Sequence, residues 1–391
     1  MPLLRGTPRQ LRAPTGLALL LAVWIGVAAC GAGPGTGTSH SPTPVAAASP
    51  THASASATAP PPGGSTPTPS STPPPVSGPY GVLAGPFAGA SYTITLVKID
   101  GKVAAATQAS TPPSPTCAGQ AAGVVPYPVA TSDAFAYFMD AKGAVRTLSG
   151  DGSVSASPVI TLPVGPSTRS VFAVSSDDSR MAVAIIDFVS GGATTRLFVD
   201  QILAGGGAQH LIFSESGSYT LWPVGWHGGD LVVAKVPSCT QGGGPTCCGP
   251  QELHVVDAAT AVRKYTLGGP GCIVVGAPTP GGTMCEDTSF TKASVLNWAG
   301  NVVRSYPISG PEGAYLSPSG DRVALVDNTG TSVPGSNVSW PRLLACGWID
   351  DIHVLSGGDQ QQQPTVGEFP SGVSLPVAAQ GDCAGRIPGG L

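Results

Sequence analysis

The sequence predicts an all-β protein whose folded domain is a β-propeller, with seven blades expected and six as the alternative. From about residue 79 onward, short runs of Val, Ile, Leu, Phe, Tyr and Thr alternate with Gly, Pro, Asp and Ser turns, a pattern typical of many short strands. No stretch of this region shows the sustained apolar period of an amphipathic helix. A hairpin pattern also recurs along the chain, which favours a propeller over a sandwich or a barrel.

Two pairs of segments carry the repeat most clearly. Ser175–Val183 aligns without gaps with Ser317–Leu325, and Gly225–Val233 aligns likewise with Gly347–Leu355. The innermost strands are expected to start near residues 127, 171, 222, 273, 314 and 344, and their mean spacing of about 43 residues fits four-stranded blades. The hairpin at residues 92–107 predicts a seventh blade. The spacing between the last two starts, 314 and 344, is short, so six blades remain the alternative.

The turn of the first repeat, Ser-Pro-Ser-Gly-Asp at residues 317–321, resembles the Ser-Pro-Asp-Gly turn of TolB-like and WD40-like propeller blades. The resemblance covers about residues 79–391 and implies the architecture, while it says almost nothing about function. The TolB resemblance also implies a role in assembly of the cell envelope as one candidate function.

The first 29 residues have the features of a cleavable signal peptide. Three arginines precede an apolar run of 11 residues, Leu17–Val27, which is too short to span a bilayer. The small residues Ala28 and Ala29 before Cys30 resemble the lipobox of bacterial lipoproteins. That resemblance implies a lipid on the Cys30 thiol, cleavage before it, and a location on the extracytoplasmic side of a membrane. Ordinary secretion, with Cys30 as a free thiol, is the alternative.

Residues 30–78 predict a disordered stalk. Between Gly31 and Gly78 there is no Asp, Glu, Lys or Arg, and nearly every residue is Pro, Ser, Thr, Ala or Gly. Such a segment buries too little apolar surface to offset its chain entropy. The stalk is either a spacer that holds the domain away from the membrane or a neutral linker. The propeller domain is then expected over residues 79–391.

The charge balance limits the class of partner. Removing residues 1–29 removes three arginines and no acid, so the formal net charge falls from −4 to −7. An acidic chain with few cations argues against a nucleic-acid partner. We expect a monomer that contacts the membrane through its lipid, binds an envelope protein or a small ligand, and uses no cofactor.

An exported domain favours oxidised cysteines. If Cys30 carries the lipid, an even number remains, and eight cysteines allow 105 pairings. Proximity predicts Cys239 paired with Cys247 or Cys248, Cys272 with Cys285, and Cys346 with Cys383. The eight candidates are Cys117, Cys239, Cys247, Cys248, Cys272, Cys285, Cys346 and Cys383.

A zinc site is the alternative for one of these segments. Cys239, Cys247, Cys248 and His254 are zinc-type ligands close in sequence. However, their spacing lacks the Cys-x2-Cys knuckle of structural zinc sites, so the disulfide interpretation is preferred.

Four residues are candidates for a binding site at the mouth of the channel. Trp226 and Trp348 occupy equivalent positions in their repeats, where they either pack between blades or form an aromatic platform for a ligand. Asp350 and Asp351 form a carboxylate pair, but adjacent residues point apart, so a solvated turn is favoured over a catalytic acid and base.

No catalytic motif is present: the sequence has neither a Gly-x-Ser-x-Gly elbow nor a His-Glu-x-x-His pattern. The leading hypothesis is therefore a binding or interaction module. The alternatives are an extracytoplasmic hydrolase or lyase that uses Asp or His in the channel, and an envelope assembly factor. A channel lined by carboxylates or histidines favours the enzyme, whereas an apolar lining favours binding.

Overall fold

The computed structural model describes residues 78–117, 121–202, 210–240, 249–310, 313–358 and 362–391. These residues belong to a compact unit that spans Pro69–Leu391. The signal peptide, the lipobox at Cys30 and the stalk up to residue 77 lie outside the described residues, so those expectations stay predictions.

The described residues form seven antiparallel sheets of four strands each. The strands, in chain order, are β1 (Tyr80–Gly85), β2 (Ser91–Lys98), β3 (Val103–Ser110), β4 (Val129–Thr131), β5 (Phe135–Met139), β6 (Ala144–Ser149), β7 (Ile160–Thr161), β8 (Thr168–Val174), β9 (Arg180–Val189), β10 (Gly192–Gln201), β11 (His210–Gly217), β12 (Tyr219–His227), β13 (Asp230–Pro237), β14 (Glu252–Val256), β15 (Arg263–Gly268), β16 (Ile273–Thr279), β17 (Gly282–Glu286), β18 (Lys292–Leu296), β19 (Val302–Pro307), β20 (Ala314–Leu316), β21 (Val323–Asp327), β22 (Gly330–Ser332), β23 (Ser339–Pro341), β24 (Ala345–Trp348), β25 (His353–Ser356), β26 (Thr365–Glu368), β27 (Ser374–Pro376) and β28 (Asp382–Ile387). This is a seven-bladed β-propeller, which confirms the predicted fold class and decides between seven blades and six.

Six blades are simple meanders of four consecutive strands, and they are numbered blades 2 to 7 in chain order. They begin with β4, β8, β12, β16, β20 and β24. The predicted starts of the innermost strands near residues 127, 171, 222, 273, 314 and 344 fall at these six strands. In the remaining blade, blade 1, strands β1, β2 and β3 are completed by β28 from the other end of the domain. Tyr80 pairs with Ile387 and Ala84 with Asp382, so backbone hydrogen bonds close the ring.

The innermost strand β8 buries both of its faces against neighbouring blades. On β8, Phe172 packs with Tyr137 of blade 2, whereas Val171 packs in the cluster that contains Trp222 of blade 4. Successive side chains of a strand point to opposite faces. This is why β8 ends in a continuous apolar run, Val171–Val174, instead of alternating apolar and polar residues.

The turn between the innermost and the second strand of a blade is here called the inner turn, and it contains the sequence repeat. In the inner turn of β8 and β9, Asp177 Oδ1 accepts hydrogen bonds from Ser175 Oγ at 2.6 Å and from the Ser179 amide at 3.1 Å. In the turn of β20 and β21, Ser317 Oγ accepts from the Arg322 amide at 3.1 Å. These are the backbone-bracing roles that Asp and Ser take in tight turns.

A long connection between β3 and β4 crosses to blades 3 and 4 at the end of the propeller opposite the inner turns. The Val124 amide donates to the carbonyl of Ser238 at 2.9 Å, just after β13. Cys117, in the same connection, forms a disulfide with Cys239, 122 residues later. The predicted pairing of Cys239 with Cys247 or Cys248 is therefore wrong. Proximity in sequence missed the crossing segment that brings Cys117 to Cys239.

The other two predicted disulfides are confirmed. Cys272, which directly precedes β16, bonds to Cys285 on β17. Cys346 on β24 bonds to Cys383 on β28 and so ties the closing strand to the neighbouring blade. Cys247 and Cys248 lie outside the described residues. Three disulfides are typical of a protein that folds in an oxidising, extracytoplasmic compartment.

Candidate functional site at the inner-turn end of the channel

A cavity of about 330 Å³ lies in the channel and extends to the end where the innermost strands run into the inner turns. All seven innermost strands contribute to its wall. Its large side chains are mostly aromatic: Tyr127, Phe172, Trp222, Trp226, Tyr315 and Trp348. Cavities lined by aromatic and apolar groups, with a few placed polar groups, are typical of ligand sites.

Arg386, at the end of β28, is the one charged side chain in the wall of this cavity, as far as the described residues go. Burial lowers the pKa of its guanidinium, and the carboxylates of Asp133 and Asp351 oppose that effect. The guanidinium does not point freely into the cavity. It donates hydrogen bonds to the carbonyl oxygens of Pro388 and Gly390, the latter at 3.1 Å.

The four residues that follow β28 are here called the tail (residues 388–391). Gly389, Gly390 and Leu391 form part of the cavity wall, whereas Pro388 is exposed. The Gly389 amide donates to the Ser132 carbonyl at 2.9 Å. Leu391 packs against the cluster that contains Trp222 and Trp226. It lies so close to Gly225 that a β-carbon there would be 2.7 Å from Leu391 Cδ1. Blade 1 has no inner turn, and the tail takes its place.

The structure brings both predicted tryptophans, Trp226 and Trp348, to the cavity wall. Trp348 Nε1 donates to the Tyr315 carbonyl of the neighbouring blade at 2.9 Å. Trp226 lies under the guanidinium of Arg180, 5.2 Å from the ring centre, and its indole N–H has no acceptor among the described residues. Both rings thus pack between blades with one part and line the cavity with another. Their role as a ligand platform stays a prediction.

Asp350 and Asp351 lie in the inner turn of β24 and β25 and not in the cavity wall. Asp350 Oδ1 accepts from the His353 amide at 2.7 Å and lies 2.9 Å from His353 Nδ1. Burial tends to raise the pKa of Asp350, but the hydrogen bonds from His353 and Ile352 outweigh it and lower the pKa. Asp351 Oδ1 accepts from the Ser319 amide at 2.7 Å and so links two blades. These contacts brace turns.

The candidate zinc ligands do not converge in the described part of the chain. Cys239 is bonded to Cys117 and is not a free thiolate. His254 lies on β14, where its Nε2 is 3.2 Å from Glu252 Oε1 and 3.3 Å from Arg263 Nη1. Residues 78–117, 121–202, 210–240, 249–310, 313–358 and 362–391 contain no group of three or more His, Cys, Asp or Glu residues placed to hold a metal ion.

Sequence reasoning missed Arg386 and Leu391. Both belong to the C-terminal segment after the last recognised repeat, and neither lies in a motif. A smaller cavity of about 140 Å³, lined by Glu286 and Asp327 among others, lies between blades 5 and 6. It holds no residue that the sequence analysis identified.

Neither a protein-family model nor a curated protein matches the sequence. Among solved structures, the periplasmic gluconolactonase of Pseudomonas aeruginosa is 12% identical, with 80% of this chain and 97% of that chain covered and a TM-score of 0.42. Prolyl oligopeptidase B from Galerina marginata is 9% identical, covering 72% of this chain and 46% of that chain, at a TM-score of 0.38. The WD40 propeller domain of Doa1 is 12% identical, with 63% of this chain and 92% of that chain covered and a TM-score of 0.29.

This chain spans less than half the length of the two prolyl peptidases it matches. At such identities the likeness concerns the fold alone and transfers no activity. The fold and the cavity together define a seven-bladed propeller with an aromatic cavity at one end of its channel.

Proposed function

We propose that the protein is a binding module, anchored through Cys30 to the extracytoplasmic side of a membrane, that takes its ligand in the cavity at the inner-turn end of the channel. One observation carries this proposal: the cavity wall is aromatic and apolar, with one guanidinium and neither a carboxylate nor an imidazole among its described residues. Such a wall suits binding by burial of apolar surface and hydrogen bonding to a few polar groups.

The location rests on independent features. The sequence has the order of a signal peptide followed by a lipobox at Cys30, and the three disulfides support an oxidising compartment. Within the residues that the structure describes, no helix is long and apolar enough to cross a membrane. A hydrolase or lyase would need acid and base groups that meet in the channel. His353 and Asp350 instead pair with each other within a turn.

The anchor is tested with Cys30→Ala. We expect the variant to remain unprocessed or to leave the membrane fraction, because two or three acyl chains provide most of the membrane affinity of a lipoprotein. Labelling with palmitate and partition into detergent are measured for both proteins. A variant that still labels and partitions as the wild type does would exclude Cys30 as the anchor.

The binding site is tested separately with Ala277→Trp. Ala277 is an exposed residue of the cavity wall, so the larger ring should fill the entrance while the blades stay packed. Ala259→Trp, in the exposed turn after β14, adds the same side chain away from the cavity. Ligand captured from cross-linked envelopes should be lost with Ala277→Trp and kept with Ala259→Trp. Equal capture by both variants would place the binding surface elsewhere.

A further inference from the structure

The main chain of the tail is hydrogen-bonded both to Arg386, which lies two residues before it in the chain, and to the inner turn of blade 2. Arg386 donates to two of its carbonyl oxygens, those of Pro388 and Gly390. The amide of Gly389 donates to the Ser132 carbonyl at 2.9 Å. Peptide-binding proteins obtain affinity from such main-chain hydrogen bonds and specificity from pockets for single side chains.

Two of the tail positions accept only glycine. A β-carbon on Gly389 would lie 2.5 Å from Thr131 Oγ1, and one on Gly390 would lie 2.8 Å from Ser176 Cβ. Contacts this short do not occur between real atoms of these types, so a larger residue would have to move the wall. The tail therefore passes through a narrow slot between the inner ends of blades 2 and 3.

One position accepts a bulky aliphatic side chain. Leu391 packs against Gly225 and the cluster of Trp222 and Trp226. The slot and this pocket together define a sequence preference: two glycines followed by a branched aliphatic residue. The amide of Gly390 lies 3.4 Å from Asp133 Oδ1, which adds a polar contact to the main chain.

We propose that the slot and the pocket that hold the tail, at the wall of the channel-end cavity, form a peptide-binding site for an uncharged segment with two consecutive glycines and a bulky aliphatic residue, and that the tail is a tethered copy of that ligand. This inference rests on the proposed function and narrows its ligand to a peptide. A tethered segment competes at an effective concentration in the millimolar range. A partner peptide therefore binds with reduced apparent affinity until the tail leaves.

The probe is the synthetic peptide acetyl-Pro-Gly-Gly-Leu-amide, and its matched control is acetyl-Pro-Ala-Ala-Leu-amide. Three proteins are compared: the full chain, a variant that ends at Ile387, and the full chain with Leu391→Asp. Ile387 is kept because it is completely buried in the core of blade 1. Tryptophan fluorescence and calorimetry follow binding, because three tryptophans line the cavity.

The glycine peptide should bind the variant that ends at Ile387 at least tenfold more tightly than it binds the full chain. The Leu391→Asp protein should resemble the shortened variant, because a carboxylate does not fit an apolar pocket. The alanine peptide should not bind measurably to any of the three. Thermal unfolding shows which variants are folded. If the shortened protein is unfolded, the peptide affinity of the Leu391→Asp protein tests the inference instead.

The inference is overturned if the glycine peptide binds no folded variant, if it binds all three proteins equally, or if the alanine peptide binds as well. These results are separable from failure of the proposed function. Loss of captured ligand with Ala277→Trp, together with absence of peptide binding, would leave a binding cavity whose ligand is not such a peptide. Unchanged capture of ligand by the Ala277→Trp variant would contradict the proposed binding site in the cavity.

Discussion

Asp178 and Gly320 occupy equivalent positions in two inner turns, and their φ angles are both positive, at 59° and 80°. Glycine adopts this conformation freely, and Asp is among the few other residues that tolerate it. The same backbone requirement thus explains two chemically different residues. Asp178 also accepts a hydrogen bond from Tyr137 Oη at 2.7 Å, which links its turn to blade 2.

Asp178 should make stability depend on pH. Burial raises its pKa above the ordinary 3.8, and hydrogen bonds from Ser132 and Tyr137 only partly offset this effect. The folded protein therefore holds this proton more tightly than the unfolded chain does, so the free energy of unfolding falls as pH rises from 3.8 through the raised pKa.

Asp178→Asn should remove that part of the pH dependence, because Asn keeps the left-handed turn and an acceptor for Tyr137 but does not titrate. Urea unfolding over a series of pH values measures the effect. Asp177→Asn is the comparison, since hydrogen bonds from Ser175 and Ser179 lower the pKa of Asp177 and give the opposite slope. Parallel pH profiles for wild type and Asp178→Asn would contradict this prediction.

The two cavity tryptophans should differ when the indole N–H is removed. Trp348→Phe deletes a hydrogen bond of 2.9 Å to the Tyr315 carbonyl, whereas Trp226 has no described acceptor to lose. Both changes remove the same volume from rings that are more than nine-tenths buried. We expect Trp348→Phe to cost about 1–3 kcal/mol more than Trp226→Phe. Denaturant unfolding of both variants measures the loss in free energy of unfolding. Equal losses would show that the loss depends only on the side-chain volume removed.

At the scale of elements, disulfides tie together segments that are distant in sequence. The connection between β3 and β4 reaches blades 3 and 4 and is fixed there by Cys117–Cys239. Cys346–Cys383 fixes β28 to blade 7. Cys272–Cys285 closes only the hairpin of β16 and β17. The three bridges enclose very different lengths of chain, so they restrict the unfolded state to different extents.

Removing the three disulfides of the described residues one at a time should destabilise the protein in the order of their loop lengths. The bonded cysteines are 122, 37 and 13 residues apart in Cys117–Cys239, Cys346–Cys383 and Cys272–Cys285. Chain entropy predicts losses of about 5, 4 and 3 kcal/mol for the paired serine variants in that order. Chemical unfolding of the three double variants gives the ranking. A larger loss for the short hairpin bridge would mean that packing outweighs chain entropy.

For the whole molecule, we expect stability to depend on closure of the ring by β28. β28 supplies the innermost strand of blade 1 and pairs with β1 along most of its length. Its Ile387 is completely buried, and Cys383 connects it to blade 7. Without β28, blade 1 would expose the edge of β1 and the apolar faces on both sides of the gap.

A variant that ends at Gln380 should therefore lose cooperative folding. It carries Cys346→Ser to avoid a free thiol, and its control is the full chain with both Cys346→Ser and Cys383→Ser. Hydrogen exchange and thermal unfolding should show a single protected ring in the control and weak protection, spreading from blades 1 and 7, in the shortened protein. If the shortened variant showed native exchange rates in blade 1, closure of the ring by β28 would not be required for folding.

Much of the fold could be predicted because blades are local structures. Apolar runs at strand length and Asp, Ser or Gly at turns, as at Asp177 and Gly320, lie within a few residues of one another in the chain. Six of seven innermost strands could therefore be located from the repeat. The seventh, β28, could not, because its partner β1 lies about 300 residues away and pairing across that distance has no local pattern.

The sequence by itself determined the all-β class, the four-stranded blade, the disulfides Cys272–Cys285 and Cys346–Cys383, and the residues from which export and the anchor at Cys30 are inferred. Only the tertiary structure decided the closing strand, the partner of Cys117, and the lining of the channel, where Arg386, Leu391 and Trp226 belong to one cavity wall. The reason is physical. Strand and turn preferences act over a few residues, whereas ring closure brings together side chains whose sequence separation carries no information about their contact.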